Sequence, residues 1–108
     1  MQIITAPMAG ITDYSFRKIL YEFSPDIIFT EMVDVNALKY SNQRTQDEIL
    51  RKAGNESVQI FGNKNEDFLE AVKLLIERGF DHIDINLGCP VKKIIRAGKG
   101  SALLLESD

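Results

Sequence analysis

The chain has 108 residues, 44% of them hydrophobic, with 13 Lys and Arg against 16 Asp and Glu and a net charge of −3. That balance excludes a disordered segment, which needs low hydrophobicity and strong net charge, and the lone cysteine, Cys89, excludes a disulfide framework. No run reaches the roughly 20 apolar residues of a membrane span and residues 1–6 lack a basic lead, so the expectation is one soluble, cytoplasmic domain with no membrane partner.

The first predicted strand is Ile3-Ile4-Thr5-Ala6, stopped by Pro7. A helix follows, with Phe16, Ile19, Leu20 and Phe23 on one face, Thr12 or Asp13 at its start and Pro25 past its end. The second strand is Ile27-Ile28-Phe29-Thr30. Beyond it Asp34 can cap residues 35–40, and Thr45 with Glu48 makes a capping box before Ile49 and Leu50. The third strand is Ser57-Val58-Gln59-Ile60-Phe61, closed by Gly62. Its helix starts at a capping-box-like Asn63 and Glu66, carries Phe68, Val72, Leu75 and Ile76 on one face, and ends before Gly79. The fourth strand is His82-Ile83-Asp84-Ile85-Asn86, followed by the turn Gly88-Cys89-Pro90, a basic stretch and the apolar run 102–105.

Strands alternating with helices predict a parallel sheet with right-handed crossovers. The strands start at positions 3, 27, 57 and 82, a usual βα repeat length. A doubly wound open sheet and a (β/α)₈ barrel both fit the pattern, and the barrel needs roughly 250 residues. With about four βα units, and Glu106-Ser107-Asp108 reading as a helix start, residues 1–108 are expected to be the N-terminal half of a TIM barrel. Such a piece leaves strand edges open and is expected to self-associate.

In parallel α/β folds, chemistry gathers beyond the carboxyl ends of the strands. There the sequence places Pro7-Met8-Ala9-Gly10, then Glu31 and Met32, then Gln59 and Gly62, then Asn86, Gly88 and Cys89. His82, Asp84 and Asn86 share one face of the fourth strand, a polar stripe that needs hydrogen-bond partners or a ligand. Cys89 is the sole thiol. As an ordinary thiol, pKa near about 8.5, it suits a general acid; Lys92 and Lys93 nearby instead favour a thiolate nucleophile, and the sequence leaves both roles open. His82, at a strand start, reads as structural. No His, Cys or carboxylate cluster has metal-ligand spacing, so no metal is expected. Gly98-Lys99-Gly100-Ser101 is a weak candidate phosphate loop. Residues 86–105 hold no acid but carry Lys92, Lys93, Arg96 and Lys99, a candidate contact for an RNA backbone.

Five motifs, in order and spacing, resemble the tRNA-dihydrouridine synthases: Ala6-Pro7-Met8-Ala9-Gly10-Ile11-Thr12-Asp13 with Phe16-Arg17; Glu31-Met32-Val33; Val58-Gln59-Ile60-Phe61-Gly62; Ile83-Asp84-Ile85-Asn86-Leu87-Gly88-Cys89-Pro90; and Gly98-Lys99-Gly100-Ser101-Ala102-Leu103-Leu104. The resemblance implies an FMN-dependent (β/α)₈ barrel followed by a helical tRNA-binding domain. It implies that NADPH reduces the flavin, that hydride passes to C6 of a tRNA uridine, and that a cysteine protonates C5. On that basis Cys89 is the proton donor, Asn86 contacts the uracil, Pro7, Met8 and Ala9 form the loop under the flavin ring, and Gln59 bonds the ring's polar edge. The family's flavin-phosphate ligands and its RNA domain have no counterpart in these residues, so the chain by itself is expected to bind FMN poorly and not to turn over. Two rivals stand beside this reading: an FMN barrel reductase of free pyrimidines, similar to dihydroorotate dehydrogenases, and a non-catalytic half-barrel serving as an RNA-binding or assembly module.

Overall fold

The structure, a computed structural model, describes residues 1–105; the helix start expected at residues 106–108 lies outside them. Strands and helices alternate. They are β1 (Ile4–Thr5), α1 (Tyr14–Leu20), β2 (Ile27–Ile28), β3 (Val33–Asp34), α2 (Val35–Lys39), β4 (Val58–Phe61), α3 (Asn65–Glu77), β5 (Ile83–Ile85) and α4 (Lys92–Arg96). All ladders are parallel. β1 pairs with β2, and β3, β4 and β5 pair in that order. A parallel bridge between Phe29 and Ser57 joins the two groups. The α/β class with parallel strands thus holds.

The expected second strand differs in an instructive way. Residues 27–29 pair first with β1 and then with Ser57, the chain leaves the ladder, and pairing resumes with Val33 opposite Ile60 and Asp34 opposite Phe61. One strand is therefore broken in the middle, and the break lies at Glu31 and Met32. Interruptions of this kind re-aim side chains and cluster beside active sites.

The core lies between the sheet and α2 and α3, built from Val33, Val35, Leu38, Leu50, Val58, Ile60, Ala71, Leu75 and Phe80. Alternation along β4 sends the fully buried Val58 and Ile60 into it, leaving Gln59 and Phe61 on the other face. That single periodicity separates packing from chemistry.

Three helix expectations need correction. Asp13 does cap α1, its side chain accepting from Phe16 N at 2.8 Å. Yet Phe16, Ile19 and Phe23 are exposed, and the residue that α1 buries is Arg17. The box expected at Thr45 and Glu48 does not form. Asn42 Oδ1 instead accepts from Thr45 N (3.1 Å), Glu48 pairs with Arg44, and residues 45–49 make a π-type turn. At α3 the N-cap position is Lys64, which has no capping side chain, and Asn63 lies one residue ahead of it with its Nδ2 donating to Ala97 O (3.2 Å). The inward face of α3 is Asp67, Ala71 and Leu75, and Ile76 is exposed. Phe68 and Val72 pack partly buried against the core, as expected, and with Leu69 they also line an open groove of about 720 Å³ with Ile85, Leu87 and Leu103. The caps expected from Asp34 and Gly79 are present: Asp34 Oδ1 accepts from Asn36 N (3.0 Å), and Gly79, φ +83°, follows the last turn of α3.

Gly62 closes β4 where there is no room for a side chain. A Cβ there would sit 2.4 Å from a methyl of buried Val35 and 3.3 Å from the Phe68 ring. A β-branched core residue cannot swing aside. Gly62→Ala is expected to destabilise the chain by about 1–3 kcal/mol, read as a lower urea midpoint at unchanged slope.

Candidate active site

At the carboxyl end of β1, the Pro7-Met8-Ala9 loop is locked by its neighbours. Buried Thr12 closes it: Met8 N donates to Thr12 Oγ1 (3.0 Å), while Thr12 N and Oγ1 donate to Met8 O (2.9 and 3.1 Å). Gly10 N donates to Oε1 of buried Glu31 at 2.6 Å. Pro7 is half-buried, and Met8 and Ala9 are exposed. The loop therefore has a fixed backbone and an open outer surface.

The ends of β4 and β5 form the second half of the site. Gln59 and Asp84 are register partners, and Gln59 Nε2 donates to Asp84 Oδ2 at 2.6 Å. Asn86 Nδ2 donates to Gln59 Oε1 (2.9 Å) and to the Met32 sulfur (3.0 Å). Asn86 Oδ1 accepts from both Gly88 N (3.0 Å) and Cys89 N (2.9 Å). One amide thus ties a glutamine, a methionine and the cysteine turn together. Cys89 is half-buried, free, and lines a small apolar recess with Met32, Phe61 and Ile94. The break in the second strand links both halves: consecutive Glu31 and Met32 reach the β1 loop and Asn86 respectively. The polar stripe along β5, half-buried at Asp84 and Asn86, is hydrogen-bonded throughout. At its start His82 Nδ1 meets Ser57 Oγ (2.7 Å) beside the Phe29 ring.

The four basic residues part company. Lys92, Lys93 and Arg96 are exposed on α4. Lys99 is buried and holds Asp34 through both carboxylate oxygens, at 2.9 and 2.7 Å. The Gly-rich loop does not present a phosphate cradle. Gly98 N, Lys99 N, Ser101 N and Ala102 N donate to Ile95 O, Ile94 O, Cys89 O and Lys99 O, so these amides face inward. Among the described residues no group of three or more His, Cys, Asp or Glu is placed to hold a metal ion, and no helix is long and apolar enough to cross a membrane.

Sequence reasoning did not anticipate how these residues support one another in the site. Thr12 and Glu31 grip the first loop, Asp84 and Met32 hold Gln59 and Asn86, and Ser101 holds the Cys89 carbonyl. The one available signal was an acid, Glu31, in an otherwise apolar stretch at a strand end.

A family model for dihydrouridine synthase (Dus) matches residues 4–108. The chain belongs to the dihydrouridine synthase family. It is 38% identical over 109 aligned residues to tRNA-dihydrouridine synthase B of Pasteurella multocida (strain Pm70), covering 99% of this chain and 33% of that protein. Identity to tRNA-dihydrouridine synthase B of Escherichia coli (strain K12) is 37%, covering 99% and 34%. For the protein of the same name from Vibrio cholerae it is 36%, covering 98% and 34%. The chain spans about a third of the length of these dihydrouridine synthases.

The residues present fit the flat, polar-edged part of a flavin. The Gln59 amide is held at a strand end, and the Pro7-Met8-Ala9 loop offers a preset apolar surface. The inward-facing amides of the Gly-rich loop do not suit the phosphate.

Proposed function

We propose that this chain forms the substrate-facing part of an enzyme that reduces a tRNA uridine to 5,6-dihydrouridine, with FMN as bound flavin and NADPH as reductant. Its parallel strands form the N-terminal half of a (β/α)₈ barrel, in about four βα units. The observation that carries this reading is the Asn86 side chain, which joins Gln59, Met32 and the amide of Cys89 in one network. A lone buried thiol needs no such support; a proton donor that must meet one carbon atom does.

A bound flavin supplies the hydride. Pro7, Met8 and Ala9 would hold its ring and Gln59 would bond its polar edge. Asn86, whose amide is engaged with Gln59, Met32 and the Gly88 and Cys89 amides, would exchange one of those bonds to orient the uracil. Cys89 holds its proton on Sγ and gives it to C5 as electron density builds there beside the carbonyl, leaving a thiolate. The uridine leaves its stack to reach the site, and the exposed Lys92, Lys93 and Arg96 meet the RNA backbone. Lys99, buried and paired, works inside the fold.

The phosphate ligands come from the part of the relatives that this chain does not span. The chain alone therefore binds FMN poorly, does not turn over, and self-associates through exposed apolar surface that includes Ile3, Ile4, Phe16, Ile19, Ile85 and Leu87. A chimera tests this. Residues 1–108 replace the matching segment of the Escherichia coli relative, in cells whose tRNA lacks dihydrouridine. Mass spectrometry is expected to find dihydrouridine restored by the chimera and absent with residues 1–108 alone. A folded, flavin-loaded chimera that leaves tRNA uridine intact overturns the proposal.

A further inference from the structure

We propose that Lys99 is a positioning residue for Cys89. It anchors a strap that runs from Asp34, at the end of β3, through Gly100 and Ser101 to the Cys89 carbonyl. The functional weight of this inference rests on Cys89 being the proton donor, but its test reads the thiol directly and does not depend on that role.

The Cys89 peptide is held from both sides. Asn86 Oδ1 takes its N–H at 2.9 Å. Its carbonyl accepts from Ser101 N (3.2 Å) and Ser101 Oγ (3.0 Å). Gly100 lies between, with φ +61°, and a Cβ there would stand 2.9 Å from Cys89 O and 3.0 Å from Cys89 Cβ. The loop is thus laid directly on the cysteine backbone, with a left-handed glycine making the approach possible. The amides of Gly98 and Lys99 bond only back to α4, to Ile95 O and Ile94 O, and neither bond fixes the loop against the sheet.

Ahead of the loop, Asn63 Nδ2 donates to Ala97 O (3.2 Å); at the loop itself the Lys99 ammonium supplies the tie. It reaches Asp34, 65 residues earlier in the chain, at 2.9 and 2.7 Å, and lies 5.7 Å from the Phe61 ring. Turned so that its oxygen faces Lys99 Nζ (3.0 Å) and its nitrogen faces Asp67 Oδ2 (3.2 Å), the Asn36 amide extends the tie to α3. Phe61 also lines the recess that holds Cys89. A surface lysine keeps its charge in water and lays only its stem on the protein. This one is 7% exposed, a costly placement unless the charge is paired and the geometry serves a purpose.

The test is the rate at which iodoacetamide alkylates Cys89 in the full 108-residue chain, where no other thiol competes. Lys99→Met and Asp34→Asn are each expected to raise that rate about fivefold or more, because the loop leaves the cysteine and local opening exposes it. Lys99→Arg keeps the pair and is expected to restore the wild-type rate. Ser101→Ala, which retains the ion pair and removes one hydrogen bond to Cys89 O, is expected to give a smaller rise, and it carries the test where Lys99→Met does not fold. Phe80→Leu, a core truncation before β5 and so at the opposite end of that strand from Cys89, is expected to leave the rate unchanged. A wild-type rate in folded Lys99→Met or in Ser101→Ala overturns the proposal, as does an equal rise in Phe80→Leu.

Discussion

Arg17→Met is expected to cost about 3–5 kcal/mol, a large fraction of the roughly 5–15 kcal/mol by which ordinary domains are stable. Arg17 and Glu56 pair at 3.2 Å with both side chains at 0% exposure. The guanidinium also donates to Thr12 O and Arg51 O, the latter at 2.6 Å. The Glu56 carboxylate further accepts from Ala53 N (2.6 Å) and Gly54 N (3.1 Å). Methionine keeps the apolar stem but leaves an ionised carboxylate buried without its cation. Urea unfolding should show the midpoint fall, with little dependence on salt, since a buried pair is poorly screened. Replacing both partners, as in Arg17→Met with Glu56→Leu, is expected to recover part of the loss, because no buried charge then remains. A midpoint for Arg17→Met within experimental error of wild type would show that the pair is idle.

The same pocket has an alkaline signature. Burial first, and then the negative charge of Glu56, push the Tyr21 phenol up to about 12. A group that holds its proton more tightly when folded stabilises the fold fully below its ordinary pKa near about 10. That contribution is lost as pH rises from there through about 12.

Local rules predicted what local physics decides. The alternation of Val58, Gln59 and Ile60 placed a strand and divided core from site, and Asp13, Asp34 and Gly79 marked helix boundaries through bonds spanning two or three residues. Failures came where the deciding partner is distant. The apolar stripe of α1 was expected to face inward, but Arg17 turns in because Glu56, 39 residues away, completes its hydrogen bonding. Lys99 was counted with the RNA-facing cations because Asp34 is 65 residues away. The break in the second strand had no breaker residue to announce it, since Thr30, Glu31 and Met32 contain neither Gly nor Pro. In the site, sequence patterns singled out Cys89, Asn86 and Gln59, which would act on ligands. They did not reveal the supporting contacts of Thr12, Glu31, Asp84 and Ser101, which act on those residues or on the loop beside them.

Cys89→Ala in the chimeric enzyme is expected to lower dihydrouridine formation by about 10²–10⁴-fold, the usual worth of a positioned general acid, while NADPH bleaches the flavin at the wild-type rate. The separation follows from what holds the residue. Asn86 and Ser101 bind its backbone N–H and carbonyl, so alanine keeps both grips. The side chain is only half-buried, so losing one sulfur atom costs little packing. The variant should therefore fold, bind flavin and accept electrons, and fail only when C5 needs its proton. Serine at this position is the sharper probe, since it keeps the shape and an O–H but is a far weaker acid than a thiol near about 8.5. It is expected to behave like alanine rather than like cysteine. Parallel loss of flavin reduction in both variants would mean that Cys89 supports the cofactor site and not proton transfer, and full activity in alanine would remove the thiol from the reaction.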